Sequence, residues 1–306
     1  MSISIIGSAN RDLVVKVSEL AQKGQTIISK NYEEFCGGKG ANQAVAAKRL
    51  GAEVNLIAKL GDDSFGDSLL NFYKNVGFDT STIQKSSESK TGLAFITVDD
   101  SGQNIINVVM GANAEVDKKI INKNKICILD SSVVLTQLEI PLETVEYLAE
   151  ILTAKNTFIL NPAPAQTLPD NLLKKVDILT PNETEASILS GVVVSDLGSA
   201  KKSANVIHSK GVDTVIITLG ENGALLSKQD GTQKHFCSAK VDTKDTTAAG
   251  DTFNGSLAYC IDKGFSIEQA IEVANKASAR AVTIQGAENS APTSAELNAF
   301  FKEKII

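Results

Sequence analysis

Short apolar runs rich in branched residues alternate along the chain with longer segments of helical period, the pattern of a parallel sheet covered by helices. The runs predict strands at 2–6, 54–60, 126–130, 133–137, 157–161, 176–180 and 214–219. Between and after them the period predicts helices near 41–50, 64–75, 142–154, 184–190, 197–210, 251–263, 267–284 and 294–303. Three of these starts carry capping pairs: Ser64 with Asp67, Ser266 with Gln269 and Thr293 with Glu296. Two regions break the pattern. Residues 13–17, 32–36, 93–98 and 104–109 read as short strands without intervening helices, and Asp99-Asp100-Ser101-Gly102 suits a hairpin turn. No linker or internal repeat divides the chain. The expectation is an α/β chain forming one domain over 1–306, with strands of a small β-sheet lid inserted at about 12–36 and 92–110.

Composition narrows the class. The 306 residues are 42% hydrophobic and 22% charged, and the apolar runs are far shorter than the ~20 residues a membrane-spanning helix needs. MSISIIGSAN reads as a buried strand entering a turn, without the basic start of a signal peptide, so a cytoplasmic location is expected. The net charge of −6 disfavours general affinity for nucleic acid, and any anion site must be built locally. Cys36, Cys127, Cys237 and Cys260 form no C-x-x-C pair and are expected to be reduced packing residues. His208 and His235 stand in no catalytic pattern; His208 is expected on the surface near a helix end.

Candidate chemistry begins at KDTTAAGDTFNG, residues 244–255. With a helix starting near Asp251, the amides of Ala248, Ala249 and Gly250 would make an anion pocket at the positive end of the helix dipole, and small side chains would let a phosphate approach. A carboxylate beside that pocket suits a base taking the proton of an attacking hydroxyl in phosphoryl transfer. Helix capping by Asp251 is the competing reading. In FCGGKGANQAVAAKRLG, residues 35–51, Gly37 and Gly38 would let a ligand reach the backbone, and Lys39 and Asn42 supply donors for sugar hydroxyls. It is not a Walker A loop, since Gly40 rather than Ser or Thr follows Lys39, and no G-x-G-x-x-G follows the first strand. LTPNETEA, residues 179–186, ends a predicted strand where open α/β sheets bind ligands. Asn182, Glu183 and Glu185 would serve magnesium directly or through water, or simply start a helix. ITLGENG at 217–223 and the pair Asn10 and Asp12 remain open between binding and turn roles.

These signals, in this order, resemble the ribokinase family of carbohydrate kinases, the PfkB type, along essentially the whole chain. The glycine motif at 37–42 looks like the family's N-terminal signature and DTTAAGDTFNG at 245–255 like its C-terminal one. GGKGANQAVAAKRLGA, TQLEIPLETV, LNPAPAQTLPD, TPNETEA and VTIQGA place the likeness nearest the family's ribose-phosphorylating members. The resemblance implies a three-layer α/β/α fold with a mostly parallel sheet and the small inserted lid.

It also implies ATP-dependent phosphorylation of D-ribose at O5. Deoxyribose, a nucleoside or another small sugar is the alternative on the same scaffold, and a catalytically silent sugar sensor is the rival from another class. By the same resemblance, Asp251 is the base and the amides of Ala248, Ala249 and Gly250 the anion hole. Asn10, Asp12, Gly38, Lys39, Asn42 and Glu139 would hold the sugar. Asn182 and Glu185 would organise Mg2+ and the ATP phosphates, while Thr218, Gly220, Gly223 and Asn275 would lie along the nucleotide. A K+ ion is implied beside Asp245, Thr247, Ala281, Ile284, Gly286 and Ser290, and a homodimer through the lid. The segment SANRD departs from the family pattern at Ala9 and Arg11, which bears on the sugar pocket.

Overall fold

Ile5 and Ile6 are neighbours and both fully buried, yet they pack into two different cores, as do Val134 and Leu135. Side chains that alternate between two apolar environments mark strands with helices on both faces. The computed structural model describes residues 1–306, the side chain of Glu288 excepted. Its strands are β1 (Ile3–Ile6), β2 (Asn10–Val17), β3 (Tyr32–Gly37), β4 (Val54–Gly61), β5 (Ile83–Ser86), β6 (Gly92–Asp99) and β7 (Asn104–Val109). They continue as β8 (Val133–Thr136), β9 (Thr157–Leu160), β10 (Ile178–Leu179), β11 (Thr214–Thr218), β12 (Ala224–Lys228) and β13 (Gln233–Phe236). The helices are α1 (Lys39–Arg49), α2 (Ser64–Val76), α3 (Lys118–Lys123), α4 (Lys125–Asp130), α5 (Leu142–Ile151) and α6 (Asp170–Leu173). After them come α7 (Glu183–Ser190), α8 (Leu197–Ser209), α9 (Ala249–Asp262), α10 (Ile267–Ala281), α11 (Ala287–Ser290) and α12 (Ser294–Phe301).

Nine strands form the large sheet in the order β13-β12-β11-β10-β9-β8-β1-β4-β5. All its neighbours from β11 to β5 run parallel, whereas β12 and β13 are antiparallel. One core packs residues of α1, α2, α9 and α10 against the sheet; the other packs residues of α3, α5, α7 and α8. Each fully buried Leu or Ile in these layers contributes about 1.5–3 kcal/mol by leaving water. The chain passes from β1 to β4 on one side and later to β8 on the other, so a crevice opens at the carboxyl ends of β1 and β8. The loops leaving β1, β8, β9, β10 and β11 carry Ser8, Glu139, Asn161, Asn182 and Gly220 to that edge.

The second sheet has the order β3-β2-β6-β7. Its β6–β7 hairpin closes at the expected turn, where Gly102 adopts φ 82° and donates N–H to Asp99 O at 2.9 Å.

Four expectations need correction. Residues 126–130 lie in α4, not in a strand: Ile128 is buried but Ile126 is 80% exposed, which suits one face of a helical turn. Ser64 is the first residue of α2, and the cap is Asp63, which accepts from Gly66 N at 2.9 Å. His208 does sit in the last turn of α8, but it is buried, with Nδ1 2.8 Å from Val212 O and Nε2 2.9 Å from Ser227 Oγ. Segments 224–228, largely apolar and buried, and 233–236, mostly polar, form strands that the sequence reading did not mark. The capping boxes at Ser266 and Thr293 are present as expected. Among the described residues no helix is long and apolar enough to cross a membrane.

Candidate active site

The glycine-rich entry to α1 brings the first helix against the turn after β1. Gly38 is the N-cap residue at φ 90°, and a Cβ there would lie 2.8 Å from both Ala9 Cα and Asn10 N. At Gly40 a Cβ would sit 2.6 Å from the Gly7 backbone, and at Gly37 it would strike the Asp12 carboxylate. These glycines therefore admit the chain's own backbone and side chains, where the sequence suggested that Gly37 and Gly38 admit a ligand. The consequence is close convergence of Lys39, Asn42, Asn10 and Asp12. Glu139 joins them, its Oε2 accepting from Ser8 Oγ at 2.6 Å and from Lys39 N at 3.0 Å.

Charge in this convergence is concentrated. Burial raises the Asp12 carboxyl from 3.8 to about 7, helped by the nearby charges of Glu139 and Asp251. Burial works against the Lys39 ammonium, but Asp251, Glu139, Glu185 and Asp12 together hold its pKa above the ordinary value. Arg11 turns to the other face of β2. Its guanidinium donates to Ser68 Oγ and lies 3.8 Å from Glu34, and its charge acts on Asp12 only to oppose the rise in that carboxyl's pKa.

Asp251 is the third residue of α9 and not its cap. Ala248 holds the N-cap position in the left-handed region at φ 59°, without a side-chain cap bond. The buried Asp251 carboxylate turns instead to α1, accepting from Asn42 Nδ2 at 3.0 Å on Oδ2 and from Gln43 Nε2 at 3.0 Å on Oδ1. At the helix start, Ala249 N donates to Thr246 O at 3.2 Å and Thr252 N to Ala248 O. Among the described residues the Gly250 amide meets no acceptor, and a Cβ on Gly250 would meet nothing within 4 Å. That open, dipole-positive corner suits an anion.

Two cavities meet there. One, of about 210 Å³, is lined by Lys39, Asn182, Glu185, Ala248, Gly250 and Asp251 among others. A second of about 210 Å³ shares Asn182, Thr218, Ala249 and Gly250 and adds Gly220, Gly223 and Asn275. Asn275 is fixed by donation from its Nδ2 to Phe236 O at 3.2 Å. Gly223, at φ 87°, lies where a side chain would strike Phe236 O. A larger cavity of about 490 Å³ runs under the small sheet from Asp12 to Asp245, Thr247 and Gly286.

Asn182 and Glu185 form a capping box on α7: Asn182 Oδ1 accepts from Glu185 N, and the Glu185 carboxylate accepts from Asn182 N and Nδ2. Burial raises the Glu185 pKa. With both carboxylate oxygens already engaged, this pair fits a hydrated divalent ion reached through water rather than a fully dehydrated one. Asp245 Oδ1 accepts from Thr247 N and Oδ2 from Gly286 N, both at 2.8 Å, which brings three of the expected cation residues together. Lys244 N and Asp245 N both donate to Val282 O, between Ala281 and Ile284. The Ser290 carbonyl accepts from Arg280 Nη1 at 3.4 Å. Among the described residues no group of three or more His, Cys, Asp or Glu is placed to hold a metal ion, so a cation here would depend on carbonyls, phosphates and water.

Sequence reasoning missed Gln43, Asn113, Gln137 and Asn161. Asn113 Nδ2 donates to Asn10 Oδ1 at 2.6 Å and its Oδ1 accepts from Ala9 N at 2.9 Å, fixing the turn that presents Asn10. Gln43 lies beside Asn42 in the quoted motif, so the motif itself held a signal; Asn113 had none, because its role depends on a contact spanning 103 positions.

Comparison with known proteins agrees with this geometry. The family model described as pfkB family carbohydrate kinase matches residues 1–294. A ribokinase of Haemophilus influenzae is 43% identical over 304 residues, covering 98% of each chain. A deoxyribokinase of Salmonella typhi is 33% identical over 302 residues, again with 98% of each chain covered. The structure of Arabidopsis thaliana ribokinase complexed with ribose and ATP superposes with a TM-score of 0.91 at 28% identity, over 98% of both chains. With the family model spanning both glycine-bearing motifs and the residues that surround Asp251, the chain belongs to the pfkB family of carbohydrate kinases.

Proposed function

We propose that the chain transfers the terminal phosphoryl group of ATP to O5 of D-ribose, giving ribose 5-phosphate and ADP. The observation that carries this reading is the placement of the Asp251 carboxylate, held by two side-chain amides, in the same cavity as the uncapped start of α9. Ribose is held by Asn10, Asp12, Gly38, Lys39, Asn42 and Glu139. As O5 forms its bond to phosphorus, its proton passes to Asp251 and the bond from phosphorus to the ADP oxygen breaks. Charge developing on the transferred group is met by the Gly250 amide, by those of Ala248 and Ala249, the last shared with Thr246 O, and by the α9 dipole. The nucleotide lies along Thr218, Gly220, Gly223 and Asn275. Asn182 and Glu185 would hold the waters of a Mg2+ ion, which when bound neutralises phosphate charge. Asp245, Thr247, Ala281, Ile284, Gly286 and Ser290 are proposed to hold K+ through mostly backbone oxygens.

The small sheet serves as a lid over the cavity that begins at Asp12, keeping out water, the competing nucleophile. Ile105, Ile106, Val108 and Val109 on its edge strand β7 are about half exposed, which supports a homodimer that covers this sheet. Deoxyribose is the second reading, favoured by the 33% relative of that activity. Measuring ADP formation against ribose, deoxyribose, other small sugars and nucleosides separates these substrates. Ribose is expected to give the highest kcat/KM; no sugar-dependent ADP formation with magnesium and potassium present would leave a sensor instead.

A further inference from the structure

The Asp251 carboxylate ends a row of buried amide side chains that crosses the molecule from β8 to α9. Resting on the kinase reading above, we infer that Gln43, locked by Gln137, is a positioning residue that holds the Asp251 carboxylate aimed for proton acceptance. The hydrogen bonds admit one arrangement only. A carboxylate can only accept, so Gln43 presents Nε2 to Asp251 Oδ1 at 3.0 Å. The same Nε2 donates to Asn161 Oδ1 at 3.0 Å, and Asn161 is fixed with its Nδ2 on Thr180 O at 3.0 Å. Gln43 Oε1 is thereby turned to Gln137, whose Nε2 donates to it at 2.6 Å.

The row has a cost at its far end. Gln137 Oε1 is buried without a hydrogen-bond partner and lies beside Gly7, where a Cβ would strike it. A buried acceptor left unmade opposes folding, and a purely structural site would be as well filled by an apolar residue. What the arrangement secures is a donor on Asp251 Oδ1 that is independent of the sugar. Asn42, the donor on Oδ2, is itself placed among the sugar's partners. The charged groups around the carboxylate are Lys39 on α1, Asp12 on β2, Glu139 after β8 and Glu185 on α7. Three of these four are acidic, and the neutral Gln43 amide gives the carboxylate a donor without adding a further charge.

The test measures ribose-dependent ADP formation as a function of pH, together with ribose binding by calorimetry, for the wild-type chain, Gln43→Glu and Gln137→Met. Absence of ribose-dependent ADP formation by wild type would sink the kinase reading itself, before either variant is considered. With an active wild type, Gln43→Glu is expected to lower kcat about ten- to a hundredfold, the span of one charge-assisted hydrogen bond. Its acid limb should move up by about one pH unit, because two coupled carboxylates must then both ionise. Ribose affinity should stay within about threefold. Gln137→Met, which leaves both bonds to Asp251 possible but frees the Gln43 amide to rotate, is expected to lower kcat several-fold with KM for ribose unchanged. An unmoved acid limb in a folded Gln43→Glu overturns the proposal. If that variant does not fold, wild-type kcat in Gln137→Met does so.

Discussion

Asn42 on α1 donates its side-chain amide to Asp251 Oδ2 on α9 at 3.0 Å, although 209 positions separate the two along the chain. The packing of α1 against α9 that brings them together includes a glycine at 255, where a Cβ would lie 2.7 Å from the Ala46 methyl and 3.0 Å from Ala47 N. Both signature motifs thus belong to one contact, and the Asp251 carboxylate is set by the fit between the two helices.

Replacement of Asp251 by Asn keeps the side chain's volume and removes its ability to take a proton. Turnover is expected to fall ~10²-fold or more, with ribose binding largely kept. Steady-state kinetics paired with ribose calorimetry checks this, and near-normal turnover would remove Asp251 from the chemistry.

Two glycines should respond in opposite ways to alanine. Gly250→Ala adds a methyl facing open space in a helix, so stability should hold or rise by up to about 1 kcal/mol, while KM for ATP rises roughly tenfold as the phosphate is held off. Gly38→Ala forces a Cβ into the Ala9–Asn10 backbone at φ 90°, and should lower the melting temperature and weaken ribose binding together. Thermal melts and the two binding constants distinguish a glycine needed for a ligand from one needed for the chain.

The Asp12 carboxyl gives a pH signature in stability. The folded chain holds this proton until about 7, whereas an unfolded chain releases it near 3.8. The associated stabilisation is complete below 3.8 and is lost as pH rises through 7. Asp12→Asn should therefore raise the melting temperature over wild type more at pH 8 than at pH 5. An equal difference at both values would contradict a buried, charge-crowded Asp12.

The Asp245 carboxylate accepts from Thr247 N within its own loop and from Gly286 N across to the other segment, and the K+ proposal places the ion against this junction. Activity in potassium is expected to exceed that in sodium at equal ionic strength, and Asp245→Ala should abolish the difference. Equal rates of the wild-type protein in the two salts would remove the ion from the account.

Much of this architecture was legible because long apolar strands and capped helices state their type locally. Ile126 to Asp130 misled, since five residues rich in branched side chains suit a strand until Ile126 is seen to face solvent. Strands β12 and β13 escaped notice because they form a short antiparallel extension of the parallel sheet, β13 at its edge, and no helix separates them as one does the parallel strands. In the site, Asp251, Lys39 and Asn42 stand inside motifs whose residue types suggest chemistry. Gln137 and Asn161 lie inside the quoted stretches TQLEIPLETV and LNPAPAQTLPD, but they act through partners about a hundred positions away, so their neighbours marked a likeness without revealing these contacts.

Strand β2 starts at Asn10, with only three residues between it and the end of β1, and forms an inner strand of the small sheet. Asn10 and Asp12 are therefore part of the cover as well as of the floor beneath it. Were the small sheet to move off the crevice, it would carry away two of the groups proposed to grip the sugar, so release of the phosphorylated product would need no separate loosening step: the cover and part of the grip are one strand.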